Sequence, residues 1–192
     1  QRYRELARRY DVKSDNATFE KFAAEGFGLV APLPTPAGNP EAILGDRERT
    51  FIAARDSAYL ATVGEGGWPH VQHRGGPPGF LRVIDARTLA FADYGGNRQF
   101  VSVGNLAGQP KAALILMDYP NRRRLKLLAE ITVLPADEAD PELVAAVGLP
   151  GAPPTERVMV LHIAAFDWNC SQHITPRYSA RELAERDSLP KP

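Results

Sequence analysis

The chain has 192 residues, with 23 Lys and Arg against 23 Asp and Glu, so its formal net charge is zero. This balance argues against general binding of nucleic acid or acidic membranes, because both need a basic surplus. The single cysteine, Cys170, excludes an intrachain disulfide framework and a cysteine-rich zinc site. No apolar run suits a transmembrane helix and no signal-peptide core is evident, so we expect one main domain in the cytoplasm.

The N-terminal part, residues 1–45, is predicted to be an arm of short helices and loops. Helix candidates cover 1–10 and 17–27, and the proline-rich stretch Pro32–Pro36 cannot continue a helix. Asp46 is predicted to cap a further helix that ends near Asp56.

A β-rich body follows the arm. Strands are predicted, in chain order, at 58–63, 68–74, 80–84, 88–92, 111–119, 122–134 and 158–170. The first two form a hairpin through the glycines of 64–67. The stretch 111–119 is almost continuously apolar, which predicts a central strand buried on both faces.

Helices interrupt this body and close the chain. We predict one from Asn97 to about Ala107 with Gly108 as its C-cap, one after an Asp140 cap, and one after a capping box at Ser179. Several antiparallel strands with one or two interrupting helices indicate a small β-barrel of the α+β class.

The loop before the first of these helices, Asp93–Gln99, predicts an anion site. It carries two glycines and then Asn97 and Arg98 at the expected helix start. Backbone N–H groups and the helix dipole favour negative charge there. A phosphate seat on a β-rich core indicates a phosphorylated cofactor.

Three motifs, in this order, resemble the pyridoxamine 5'-phosphate oxidase-like superfamily of FMN-binding split barrels. The first is the strand Pro69–Arg74, reached from a glycine turn. The second is Asn97-Arg98-Gln99, a helix, and the strand start Gln109–Leu114. The third, Asp167–Pro176, resembles a C-terminal signature of an uncharacterised branch. The resemblance covers roughly residues 46–178, which would form the barrel, leaving 179–192 as a C-terminal helix and tail.

The resemblance implies a mainly antiparallel split β-barrel with flanking helices, and a homodimer with FMN at the subunit interface. Asn97, Arg98 and Gln99 would bind the phosphate. The isoalloxazine would lie along Gln72, His73 and Arg74, whose backbone can pair with its pyrimidine edge. The partner subunit would contribute from 122–128, where Arg124 matches a flavin-contacting Gln. Arg74 or Arg124 would be the cation beside the flavin.

Two departures from the family pattern bear on the substrate. Gln99 replaces the usual Lys, and Ala92-Asp93 replaces a Tyr-Thr dipeptide. The substrate-contacting residues of the true oxidase are not evident either. We therefore expect an FMN-dependent oxidoreductase acting on another small molecule, with a nicotinamide compound as a candidate electron donor and no assigned catalytic side chain.

Other functions remain open at this point. The chain could store flavin without turnover, bind haem or a deazaflavin in the same barrel, or keep a degenerate site. A haem would need a ligating histidine, for which His73 or His173 are the candidates.

Simpler interpretations also exist for single residues. His70 and His73 lie three apart on a strand and so face opposite sides, which argues against a shared metal, and we predict no metal site. The basic run Arg122–Arg124 is better explained as one charged strand face than as a nucleic-acid patch. Cys170 is more typical of a buried, inert thiol than of a nucleophile. Trp168 is a candidate cofactor contact, although a core or interface aromatic is the simpler interpretation.

Overall fold

The computed structural model describes residues 42–95, 100–168 and 171–188. They all lie within one unit, residues 38–192. The helices are α1 Asp46–Ala53, α2 Val101–Gly108, α3 Pro141–Val147 and α4 Ala180–Ser188. The strands are β1 Ser57–Val63, β2 Pro69–Gly75, β3 Arg82–Val83, β4 Thr88–Tyr94, β5 Lys111–Asp118, β6 Arg123–Pro135 and β7 Thr155–Trp168. The predicted arm over residues 1–45 lies almost wholly outside the described residues and stays a prediction.

Within the described ranges, seven strands form one sheet in the order β2-β1-β5-β6-β7-β4-β3. Every neighbouring pair is antiparallel. The predicted α+β class with a mainly antiparallel sheet is therefore confirmed. In the described part of the chain, no helix has both the length and the apolar character needed to cross a bilayer.

The sheet is curled so that strands far apart in its order come together. β2 is the first strand and β4 the sixth, yet Nη1 of Arg74 on β2 lies 2.8 Å from Oδ1 of Asp93 on β4. A flat sheet would hold these strands about 24 Å apart, at about 4.8 Å per strand. The contact therefore closes one end of a barrel.

Along each strand, every second residue faces inward, and these residues fill the barrel interior. On β5 these are Ala112, Leu114 and Leu116, all buried. The intervening residues of β5 are only half-buried, so the prediction of a strand buried on both faces was wrong for the single chain. Its outer face is apolar but partly open.

Turns and caps follow local sequence signals in most places. Gly67 has φ of 76° in the β1–β2 turn, a conformation that glycine adopts without strain. Asp140 caps α3 by accepting a 2.8 Å hydrogen bond from the backbone N–H of Glu142. Ser179 and Glu182 form the predicted capping box of α4.

Three predicted boundaries were wrong. The helix α2, which begins at Val101, runs through Gly108 and has Gln109 as its C-cap, so Gly108 is not the cap. The predicted start at Asn97 lies outside the described residues. Gly45, not Asp46, caps α1, and its N–H donates to the Glu48 carboxylate. The strand predicted at 80–84 shortens to β3, because Phe80 and Leu81 turn into the core instead.

Candidate functional site

A cavity of about 440 Å³ lies where the ends of β2 and β4 approach each other. Its lining combines strand ends with the rings of two phenylalanines and one tyrosine, one arginine, one histidine and two carboxylates. The lining residues are Asp56, His73, Arg74, Gly75, Gly76, Phe80, Phe91, Ala92, Asp93, Tyr94, Gly95 and Leu149. Gly95 is the last described residue before position 100, so the cavity adjoins the segment in which the phosphate site was predicted.

The predicted phosphate ligands Asn97, Arg98 and Gln99 lie outside the described residues. Their role stays a prediction. The structure does show that β4 ends at the cavity and that α2 begins directly after this segment.

The three residues of β2 that were predicted to contact the flavin ring lie on two different faces of the strand, because side chains alternate along it. Gln72 and Arg74 face inward, and His73 faces outward beside Tyr59, with ring centroids 5.7 Å apart in an edge-to-face arrangement. His70 shares the inward face, and its Nε2 is buried without a hydrogen-bond partner among the described residues. The structure thus places His70 and His73 on opposite faces of the strand.

Arg74 is the charged residue that β2 brings to the cavity. Its Nη1 donates to Asp93, and its guanidinium lies 5.8 Å from the centre of the Phe91 ring. Its Nε is buried, with no acceptor in the part of the chain that the structure describes. A buried donor without an acceptor is costly, so this atom marks a place where a ligand acceptor would be stabilised.

Asp93 holds two arginines at once. Its second carboxylate oxygen accepts from Nε of Arg157 at 2.9 Å, and Arg157 also lies 3.2 Å from the Glu156 carboxylate. Asp93 is only 8% exposed. Sequence reasoning missed Asp93 and Arg157 as a pair, although an acid within the otherwise buried run of β4 was an available signal.

Gln72 connects β2 to α2. Its Oε1 accepts a 2.8 Å hydrogen bond from the Ser102 hydroxyl, and a second bridge runs from Asn105 Nδ2 to Thr62 Oγ1 at 3.0 Å. Ser102 and Thr62 are each 1% exposed. The helix that follows the predicted phosphate segment is therefore fixed to the strand predicted to carry the flavin ring.

The two remaining candidates lie away from the cavity. Arg124 is half-buried on β6, opposite Met117, and its Nε also has no partner among the described residues. Trp168 donates from its indole N–H to Glu48 at 2.7 Å and packs edge-on against Phe51. The structure does not bring Trp168 to the cavity lining, and its predicted contact with a cofactor stays a prediction.

The cavity wall is completed by a loop contact. Tyr94 Oη accepts a hydrogen bond from the backbone N–H of Leu149 at 3.1 Å, which brings Leu149 beside Phe80. An aromatic and aliphatic wall facing a few polar groups is the usual composition of a site for a small organic ligand.

Comparison with known protein families shows to which family the chain belongs. Residues 44–169 match the pyridoxamine 5'-phosphate oxidase family, which is more than half of the chain. The chain belongs to this family. The resemblance inferred from the three sequence motifs is therefore confirmed.

Two solved structures show the same fold. A putative pyridoxamine 5'-phosphate oxidase from Lactobacillus delbrueckii aligns with a TM-score of 0.53 and 22% identity, over 67% of this chain and 97% of that one. HupZ of Group A Streptococcus aligns with a TM-score of 0.54 and 13% identity, over 71% of this chain and 100% of that one. The predicted split barrel is thus confirmed. No curated protein sequence matches the chain.

Proposed function

We propose that this family member binds FMN at the β2–β4 cavity and uses it as an oxidoreductase acting on a small molecule. The observation that carries the proposal is Nε of Arg74, a buried donor at the cavity that has no acceptor within the described residues. A flavin offers ring oxygens and nitrogens as acceptors, and it offers a planar surface to the aromatic wall.

The size and chemistry of the cavity fit such a group. A volume of about 440 Å³ lies within the range of small-molecule sites, about 300–1,000 Å³. The strand β2 is also the outermost strand of the described sheet, so one side of its backbone has no neighbouring strand there. Free backbone groups on that side support pairing with the pyrimidine edge of the flavin along Gln72, His73 and Arg74.

Each part of the cofactor then has a proposed position. The phosphate is held by Asn97, Arg98 and Gln99, where the planar fork of Arg98 suits a phosphate. The ring lies along β2 with Arg74 as a hydrogen-bond donor. A bound flavin would supply the redox chemistry, and the protein would supply binding, orientation and electrostatics.

The positive charge beside the ring is assigned to Arg124 of the second subunit. The charge of Arg74 is already balanced by Asp93, whereas the structure shows no ion pair for Arg124 among the described residues. A cation that is not neutralised within its own chain stabilises negative charge on a ligand more strongly. This assignment requires a dimer.

The outer face of the sheet supports the proposed homodimer. Four neighbouring strands, β2, β1, β5 and β6, present apolar side chains outward, and Val71 is 62% exposed. The register joins them into one patch: Ala61 lies opposite both Val71 and Ala113, and Ala113 lies opposite Leu128. A contiguous apolar patch on a charged protein indicates a protein interface, and a second copy of the chain is the proposed partner.

The test is an equilibrium titration of the purified, flavin-free protein with FMN, followed by flavin fluorescence. The proposal predicts saturation at one FMN per chain. Binding of riboflavin with the same affinity would contradict the phosphate part, and failure of both flavins to bind would contradict the cofactor itself.

A further inference from the structure

The ion triad of Arg74, Asp93 and Arg157 lies between two openings in the barrel wall. Arg74 and Asp93 line the cavity described above, whereas Arg157 lines a separate groove of about 450 Å³. That groove runs between α2 and the end of β6, and most of its other lining residues are apolar. The triad therefore forms a polar partition between an amphipathic cavity and an apolar groove.

The geometry of the triad is that of two arginines around one oxyanion. Each oxygen of the Asp93 carboxylate accepts one guanidinium N–H, at 2.8 Å from Arg74 and at 2.9 Å from Arg157. Asp93 and Arg157 are direct cross-strand partners, and Arg74 reaches them from β2 across the barrel opening. Such charge-assisted bonds are the ones that proteins use to bind phosphate and carboxylate ligands.

The charges in this cluster are balanced by the chain itself. Two guanidinium groups face the carboxylates of Asp93 and Glu156, and the side chains of Arg74 and Arg157 are only 16% and 19% exposed. Because both guanidinium charges are already paired, an anion that bonds to Nε of Arg74 meets no net positive charge, and one that takes the place of Asp93 leaves a buried carboxylate unpaired. That displacement is strongly unfavourable.

We propose that the Asp93 carboxylate occupies a two-arginine site that would otherwise bind a ligand oxyanion. Asp93 thereby determines which charged groups the cavity accepts. Beside the Arg74–Asp93 pair, the cavity accepts neutral or cationic groups and excludes phosphate and carboxylate groups, whereas the phosphate of FMN is proposed to lie farther along the chain, at Asn97, Arg98 and Gln99. Assigning this preference to a substrate rests on the proposed function. The charge arrangement itself does not, because it can be tested with inorganic phosphate and without flavin.

The test compares Asp93→Asn with the protein that keeps Asp93, both carrying Arg98→Ala so that the proposed phosphate segment does not contribute, by calorimetric titration with inorganic phosphate at low ionic strength. The amide cannot balance two guanidinium groups, so we expect phosphate to bind the variant on the order of tenfold more tightly. Amide resonances of Gly75, Gly76 and Ala92 should shift with phosphate in the variant and not in the Arg98→Ala reference. A destabilised variant without those shifts would show a purely structural role and overturn the proposal.

Two further variants serve as controls. Asp56→Asn, in the same Arg98→Ala background, removes one carboxylate from the same cavity lining without touching the arginine pair, so it should bind phosphate as weakly as the reference. Equal tightening in Asp56→Asn would show a general charge effect and overturn the proposal. Asp93→Glu keeps a carboxylate and should restore the exclusion of phosphate.

A variant that fails to fold still gives an answer. If Asp93→Asn is unfolded at low ionic strength, far-UV circular dichroism is followed while phosphate or chloride is added at equal ionic strength. Recovery with phosphate alone supports an oxyanion site. Equal recovery with both salts, or recovery with neither, overturns it.

Discussion

The hydroxyl of Ser102, in the first turn of α2, donates a 2.8 Å hydrogen bond to Oε1 of Gln72 in the middle of β2. The two residues belong to the two elements proposed to hold opposite ends of the cofactor, the phosphate and the ring. Their contact therefore fixes the distance between those ends.

Ser102→Ala should weaken FMN binding about fivefold, the effect of one neutral hydrogen bond, and leave riboflavin affinity unchanged. The reason is that α2 shifts relative to β2 and carries the adjoining phosphate segment with it. The ratio of the two dissociation constants measures this. Thr62→Val, which removes the neighbouring bridge to Asn105, is the matched control, and an equal change in its ratio would refute a specific role of the Ser102–Gln72 bond.

Arg98→Ala should weaken FMN by about 2 kcal/mol, which is typical of a hydrogen bond to a charged group. Riboflavin has no phosphate, so its affinity should not change. Fluorescence titration measures both constants, and Lys111→Ala serves as a control that removes a different exposed cation. Unchanged FMN affinity in Arg98→Ala would remove the phosphate site from this segment.

Val71→Asp should convert the proposed dimer into monomers, because it places a charge within the apolar outer face. Light scattering coupled to size-exclusion chromatography gives the molar mass. The same variant should lose FMN affinity, since Arg124 would no longer reach the partner's site. Ile84→Asp makes the same change at another exposed apolar position and should leave the mass as in the wild type. A wild-type protein that is already monomeric would contradict the interface.

Glu48→Ala should destabilise the protein by about 1–3 kcal/mol, because the Trp168 indole N–H and the Gly45 N–H both lose their acceptor. Denaturant unfolding followed by tryptophan fluorescence measures this, in a Trp68→Phe background that leaves one reporter. Glu130→Ala, at an exposed position on β6, is the control. Equal unfolding midpoints in the two variants would show that Glu48 does not anchor the ring.

Asp85 provides a prediction about pH. Its pKa is lowered below the ordinary value of 3.8, chiefly by the hydrogen bond from the Arg87 backbone N–H in the β3–β4 turn. Because the pKa is lowered in the folded state, the ionised carboxylate stabilises the fold fully above the unfolded pKa. This contribution is lost as the pH falls through the folded pKa. Asp85→Asn should therefore be less stable than the wild type at pH 7, and the difference should shrink toward pH 3. A difference independent of pH would contradict the assignment.

Much of the fold could be predicted because its signals are local. The cap at Asp140 and the glycine at position 67 each work through groups a few residues away, and the structure shows both. The start of α2 could not be predicted in this way. Phe is not a favoured N-cap residue, yet Phe100 is the N-cap of the helix, whose position is held by the long-range bonds of Ser102 and Asn105.

The site was predicted only in part, because many of its contacts join residues that are far apart in the sequence. A strand pattern placed Gln72, His73 and Arg74 together, but it carried no information on what faces them across the barrel. Asp93 contacts Arg74 over a separation of 19 residues and Arg157 over one of 64. The apolar residues on the outer face of β5 led to the prediction that both faces of this strand are buried. Composition cannot distinguish a face in the barrel interior from an outer face that is proposed to contact a second copy of the chain.

The central claim is that this barrel binds FMN, and the visible absorption spectrum of the purified protein tests it most directly. The prediction is the two-band spectrum of an oxidised flavin, with FMN in the fraction released on denaturation. A Soret band would indicate haem instead. A colourless protein that also fails to bind added FMN would contradict the claim and leave only the fold established.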